Sequence, residues 1–510
     1  MKRLGRLSLG VTAAAALLAP TAALAAKQTA EDPMVVPVAS GWENTAISTV
    51  GETIKDNTPP GIPDGMSAYD GRGRGVMSAF VNHELREGQG YEYELANGTV
   101  LTGARISRYD IQSKTLKVID AELAYDTMYD VDGEMVTDPD QLNPIDVDEN
   151  GIARLCSGRG VSAGEYGFVD DIHFAGEEQS NGVLWALDID NGDMWAVPDA
   201  GLLAWESVSP MDTGDDDTIA LLVGDDREAA PLWLYVGEKQ AGGDFLERSG
   251  LAGGQLYAWV ADLNDPLGTF DSPAEFFGDG TSATGTWVEV DARNADSSLR
   301  TTAELDAAAD AVGHFQFSRP EDVHDNPADA QQLVLASTGR TSWDGASDVY
   351  GTTYLVVGDF SNGGPTGAEL TILYDGDEAY ATVGPDAMLR SPDNLVWASD
   401  GYIYVQEDRA TGADWGTEEA SIWKLDPAAP GYAQRIAQVD RTAVPDDQVD
   451  TDVPPSVGTW ETSGIIDVTH LVKTDATVAL LYNVEAHSIT GGSIADQGLV
   501  QGGQIGMLTN

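Results

Sequence analysis

Four short islands combine carboxylates with Asn, His, Arg or Cys, each beside an apolar run of strand character. Arg319-Pro320-Glu321-Asp322 sets a guanidinium two residues before a pair of acids. Such a group offers a planar fork to non-bridging phosphate oxygens next to acids able to clamp a cation, and a surface salt bridge is the alternative. Pro320 fixes its own φ and biases Arg319 towards an extended backbone. Arg154-Leu155-Cys156-Ser157-Gly158 holds the one cysteine of the chain and is followed by His173-Phe174-Ala175-Gly176-Glu177-Glu178. A lone cysteine in an exported chain is exposed to oxidation, so it is either a buried free thiol or a thiolate ligand to iron or another soft metal. The adjacent Glu177 and Glu178 repel each other, which a hard cation between them relieves.

Asn82-His83-Glu84 closes an apolar strand with a carbonyl, an imidazole and a carboxylate, or is a polar strand cap. Ser391-Pro392-Asp393-Asn394 is by itself a good turn. Asp146-Val147-Asp148-Glu149-Asn150-Gly151 matches the first half of a calcium loop but meets Ser157 where the glutamate belongs, leaving at most an isolated calcium turn. Asp212 to Asp217 reads as a solvated acidic loop. His-Glu-x-x-His and P-loop motifs are absent, which counts against a zincin and a P-loop nucleotidase.

The elements that must carry these islands are short strands punctuated by Gly, Asp, Asn and Pro from about residue 75 onward. Arg105 to Tyr109 with Leu116 to Ile119, and Val183 to Asp188 with Met194 to Val197, read as hairpins. Many short strands without βαβ alternation predict an all-β radial fold, a six-bladed propeller, with a pair of β-sandwiches as the rival. One helix is expected where Thr301-Thr302-Ala303-Glu304 forms a capping box, Leu305 to Val312 follows, and Gly313 stops it. Asp271 to Ser298 reads as a surface excursion. Residues 1–25 have a basic start, an apolar Ala-rich stretch and a small-x-small end, the pattern of a signal peptide, and residues 26–510 read as one propeller domain.

The chain has 510 residues with 84 Asp+Glu against 27 Lys+Arg and a formal net charge of −57. Such a surface excludes nucleic acid or an anionic membrane as a partner held by general basic charge. One Cys excludes an internal disulfide. No later apolar run is long enough to span a bilayer. The expectation is an exported monomer, periplasmic or extracellular.

In order, Asn82-His83-Glu84, Cys156-Ser157-Gly158, Glu177-Glu178, Gly224-Asp225-Asp226, Arg319-Pro320-Glu321 and Pro392-Asp393-Asn394 resemble the PhoX-type alkaline phosphatase family. The resemblance spans roughly Gly75 to Arg409 as scattered islands. It implies a six-bladed propeller carrying calcium and iron (Fe3+) and hydrolysing small phosphorylated substrates. On that likeness Cys156, Glu84, Glu177, Glu178, Glu321, Asp225, Asp226 and Asp393 are candidate metal ligands. Arg319 and Asn82 are candidate catalytic groups that contact the phosphate, with His83 beside them. The chain departs from the family pattern before Glu177-Glu178 and in lacking twin arginines at Lys2-Arg3. After Asp226 the expected further carboxylate is Glu228, Glu238 or absent. Two other readings fit the same residues: a non-catalytic calcium-binding propeller, and a calcium-dependent lactonase-like propeller hydrolase.

Overall fold

The computed structural model describes residues 29–145, 150–262, 271–343, 346–361 and 364–510. The signal-like segment and most of the half calcium loop at Asp146 lie outside them.

Short strands build six blades, antiparallel except where Thr127–Tyr129 adds in parallel to Asp193–Ala196 at the outside of the second, and each blade starts at an innermost strand. The innermost strands are Pro63–Asp70, Leu155–Val161, Trp205–Met211, Pro320–Asp325, Pro392–Trp397 and Glu461–Asp467. Each packs against the next, and the last packs against the first, so they ring a central channel. The ring is closed by pairing across the chain: Glu43–Thr49, near the start, lies against Gly502–Thr509, at the end, as the outer strand of the sixth blade. That pairing ties the start of the described chain to its last blade.

Between blades the core is aliphatic and aromatic. Phe174 and Trp205 with Trp233 join the second and third blades, and Met77 with Met507 and Leu481 joins the first and sixth. At roughly 25 cal/mol per Å² of apolar surface, these faces supply most of the driving force for closing the ring. The helix runs Thr302–Val312, capped by Thr301 and ended by Gly313 at φ 78°, as its capping residues dictate. The stretch read as a surface excursion contains instead a nine-residue strand, Ser282–Val290, which pairs on one side with Gln255–Ala261 and on the other with Gly364–Asp375. It welds the third and fourth blades into one nine-stranded sheet. Its Gly, Ser and Thr content masked a strand whose alternate residues Ala283, Gly285, Trp287 and Val290 face inward.

Candidate active site

The same irregularity recurs near the start of five innermost strands. Pairing with the neighbouring strand skips from Pro63 to Met66, Leu155 to Gly158, Trp205 to Val208, Pro320 to Val323 and Pro392 to Leu395. In each case two residues oppose one, a bulge that re-aims the first of the pair. Those first residues are Asp64, Cys156, Glu206, Glu321 and Asp393. Four of these strands are entered through a residue of positive φ: Ile62 (53°), Arg154 (49°), Arg319 (65°) and Ser391 (44°). Arg319 is therefore left-handed rather than extended. The bend that swings it across the channel mouth outweighs the bias imposed by Pro320.

A second tier comes from the residue just past the end of the second strand in five of the six blades: Glu84, Glu178, Asp226, Asp408 and His487. All residues of both tiers except Asp64 line one cavity of about 490 Å³ at this end of the channel, where Glu461 joins them, and Asp64 lies beneath it beside Glu84 and Glu485. Eight carboxylates line it against four arginines, Arg86, Arg154, Arg319 and Arg409. Arg319 donates through Nε and Nη2 to Asp226, both at 2.6 Å, and lies 3.0 Å from Glu321. Arg154 donates to Glu84 at 2.7 Å and to Glu178. The Cys156 thiol lies 3.2 Å from Glu206.

Of the residues singled out from sequence, Cys156, Glu84, Glu178, Asp226, Arg319, Glu321 and Asp393 meet in this cavity. His83, Glu177 and Asp225 do not. They are the last residues of the strands whose next residues are Glu84, Glu178 and Asp226, and successive side chains of a strand point opposite ways. His83 bonds Gly61 O at 3.0 Å and Ser107 Oγ at 2.8 Å. Glu177 accepts from the Ala153 and Val183 amides. Asp225 accepts from the Ala204 amide, Arg227 and the Trp233 indole. Each braces the turn that presents its neighbour. Asn82 lies opposite the first bulge, fully buried: its Nδ2 donates to the carbonyls of Cys156 (2.9 Å) and Ser157 (3.0 Å), and its Oδ1 meets His173 at 2.9 Å. It holds the cysteine strand from beneath. Burial depresses both His83 and His173 to about 3, so these imidazoles are neutral.

Glu228 and Glu238 are both exposed and outside the cavity, and Glu228 pairs with Arg340. Glu206 does line the cavity, and its signal was only its place in Trp205-Glu206-Ser207, at the same point of its strand as Cys156 and Glu321. Asp64, Asp408, Glu461, Glu485 and His487 also escaped the sequence reading, because nothing local marks them.

The electrostatics are those of a dense cluster of buried acids. Burial first, then neighbouring acids, pushes Glu178, Glu206, Asp393, Glu461 and Glu485 well above the usual carboxylate range, and Asp64 to about 7. Burial and the charges of Asp64 and Glu206 likewise raise the Cys156 thiol. Asp226 alone among these is held low, against its burial, by Arg319. Glu206 Oε2, Asp64 Oδ2 and both oxygens of Glu485 are buried without a hydrogen-bond partner. Orphaned buried carboxylate oxygens are costly unless a cation takes them. Among the described residues, five overlapping triplets have ligand atoms within 4.8 Å of one another, including Cys156–Glu178–Glu206, Glu206–Glu321–Asp393 and Asp393–Asp408–Glu461.

Radial fold and site together define a β-propeller that concentrates acids, a thiol and arginines at one mouth of its channel. The family model described as alkaline phosphatase PhoX matches residues 197–449. Among solved structures, Pseudomonas fluorescens PhoX in complex with vanadate, a transition state analogue, matches with a TM-score of 0.64 and 15% identity over 94% of this chain and 97% of that one. The chain is thus similar to the PhoX-type alkaline phosphatases in sequence over residues 197–449 and in fold over most of its length, and the family match supports a phosphoric ester hydrolase. A pyranose dehydrogenase PQQ domain from Coprinopsis cinerea (TM-score 0.27, 13% identity, 74% and 95% covered) and Trypanosoma rangeli sialidase (0.31, 10%, 92% and 60%) match too weakly to inform function. No curated protein sequence matches.

Proposed function

We propose that the protein is an exported metal-dependent phosphatase that hydrolyses small phosphate esters at a calcium- and iron-loaded cluster. The observation that carries this reading is the set of bulge residues Cys156, Glu206, Glu321 and Asp393, converging with Arg319 on one cavity.

The donor set fits such cations. Cys156 with Glu178 and Glu206 offers the mixed thiolate and carboxylate ligation that suits iron, and the all-oxygen group of Asp393, Asp408 and Glu461 suits calcium. When bound, these cations polarise a phosphate ester and make water a nucleophile at neutral pH. The chain's own residues do the rest. Eight carboxylates would repel a phosphate dianion, so the local field reverses only once cations occupy them. Arg319 is held in place by Asp226 and offers its remaining donors to the equatorial oxygens, where charge builds as the ester bond breaks. Asn82 is a positioning residue that fixes the carbonyls flanking the thiol. The inward thiol favours this reading over a lactonase-like hydrolase, which needs no sulfur ligand.

The test is hydrolysis of p-nitrophenyl phosphate by purified protein, with Ca and Fe counted per chain by mass spectrometry. Activity lost to a chelator and restored by Ca2+ is the expected result, with Arg319→Ala lowering kcat/KM by roughly 10²-fold or more. Undiminished turnover in Arg319→Ala or Glu321→Ala overturns the proposal. Tight calcium uptake without hydrolysis of any phosphorylated substrate points instead to a binding module.

A further inference from the structure

Arg154 and Arg319 occupy corresponding places in two blades. Each immediately precedes an innermost strand, each has positive φ, and each stands two residues before the bulge residue that faces the cavity, Cys156 in one case and Glu321 in the other. Each guanidinium is gripped by two cavity acids, Arg319 by Asp226 and Glu321, Arg154 by Glu84 and Glu178. Arg154 with Glu178 and Arg319 with Asp226 line the same cavity wall. Both side chains stay partly open, 28% for Arg154 and 22% for Arg319, and both line the cavity. Neither Nη1 has a hydrogen-bond partner among the described residues.

A left-handed, non-glycine residue is a strained choice at a strand entrance. Of the four such entrances, those at Ile62 and Ser391 bring no charge. Two that both aim a guanidinium inward, at matching points of a pseudo-symmetric ring, suit a ligand that takes two planar forks at once. A tetrahedral phosphoryl group with three terminal oxygens is such a ligand.

We propose that Arg154 is a second phosphate-contacting residue, pairing with Arg319 to clamp the terminal oxygens of the substrate phosphoryl group. This rests on the phosphatase reading and adds to it a specificity for the phosphoryl headgroup rather than for the leaving group. The bland alternative is that Arg154 only braces Glu84 and Glu178.

The test uses inorganic phosphate as a competitive inhibitor of the metal-loaded protein and as a direct ligand in calorimetry, with Ca and Fe content measured on each variant. Arg154→Gln is expected to weaken phosphate binding and raise KM about tenfold or more while metal content stays at the wild-type level. Arg154→Lys keeps the charge and the acid contacts but loses the fork, and is expected to fold, retain metal and still bind phosphate several-fold more weakly. Phosphate affinity within twofold of wild type in Arg154→Lys and Arg154→Gln overturns the inference. So does a loss that tracks metal content and is reversed by added metal, which marks a brace. A wild-type protein that hydrolyses no phosphate ester counts against the phosphatase reading. An active wild type with unchanged Arg154 variants counts against the clamp alone.

Discussion

Replacing Gly65 by alanine tests whether the packed bulges set the geometry of the site. Gly65 is the second residue of the first bulge and lies against the second. A Cβ there would sit 2.0 Å from Gly158 N, 2.2 Å from the Ser157 carbonyl carbon and 2.6 Å from Cys156 O. Ordinary contacts begin near 3.4 Å, so the cysteine strand or its neighbour must give by roughly an ångström or more. The obstructing atoms are backbone, and rotamer changes cannot relieve the clash. Overpacking of this kind costs about 1–3 kcal/mol. The displaced segment carries the thiol and the two carbonyls that Asn82 holds, and a misplacement of about 1 Å can cost on the order of 10²-fold in rate. Thermal unfolding, p-nitrophenyl phosphate turnover and metal content on Gly65→Ala measure both effects. Gly364→Ala is the control, because its Cβ meets nothing nearer than Ser361 O at 3.6 Å. Wild-type turnover and an unshifted Tm in Gly65→Ala would refute the idea that bulge-to-bulge contact positions the thiol.

Asn82→Ala orphans the Cys156 and Ser157 carbonyls and should destabilise the protein by about 1–3 kcal/mol. Its kcat should fall more than its affinity for inorganic phosphate, whereas a direct substrate contact would lose affinity first. Cys156→Ser should retain calcium and lose iron in metal analysis; unchanged iron would remove the thiol from the ligand set. His83 and His173 are depressed to about 3 from 6.5, so the unfolded chain takes up protons that the folded one refuses. Their stabilisation is complete above about pH 6.5 and is lost as pH falls towards 3, at roughly 1.4 kcal/mol per pH unit for each histidine. Denaturant unfolding across that window should show the slope, and His83→Gln should lessen it; a slope unchanged by that substitution would exclude His83 as a source. In chelated protein Asp64, raised to about 7, contributes with the opposite sign, its stabilisation declining as pH rises from about 4 to 7. Added Ca2+ should flatten that decline, and a chelated protein that gains stability over this range would contradict it.

Local chemistry in the chain determined a good deal by itself. The strand and turn pattern carried the all-β radial class, and the capping box at Thr301 with Gly313 placed the helix to the residue. The order of the acids, the arginine and the thiol carried a resemblance to the PhoX-type phosphatases, and seven of the residues it singled out meet in one cavity. The chain could not reveal which member of each adjacent pair faces the channel. Glu177 and Glu178 are identical in type, as are Asp225 and Asp226. Only the strand's exit point and its two-residue alternation turn one into the cavity and the other into the blade. Nor was Glu206 legible, since its part depends on the bulge between Trp205 and Val208, a register between strands rather than a motif. Glu461, Glu485 and His487 sit in the last blade, far along the chain from Glu84 and Asp64. They join the site because Glu43–Thr49 pairs with Gly502–Thr509 and closes the ring, bringing together residues whose proximity no local interaction can encode.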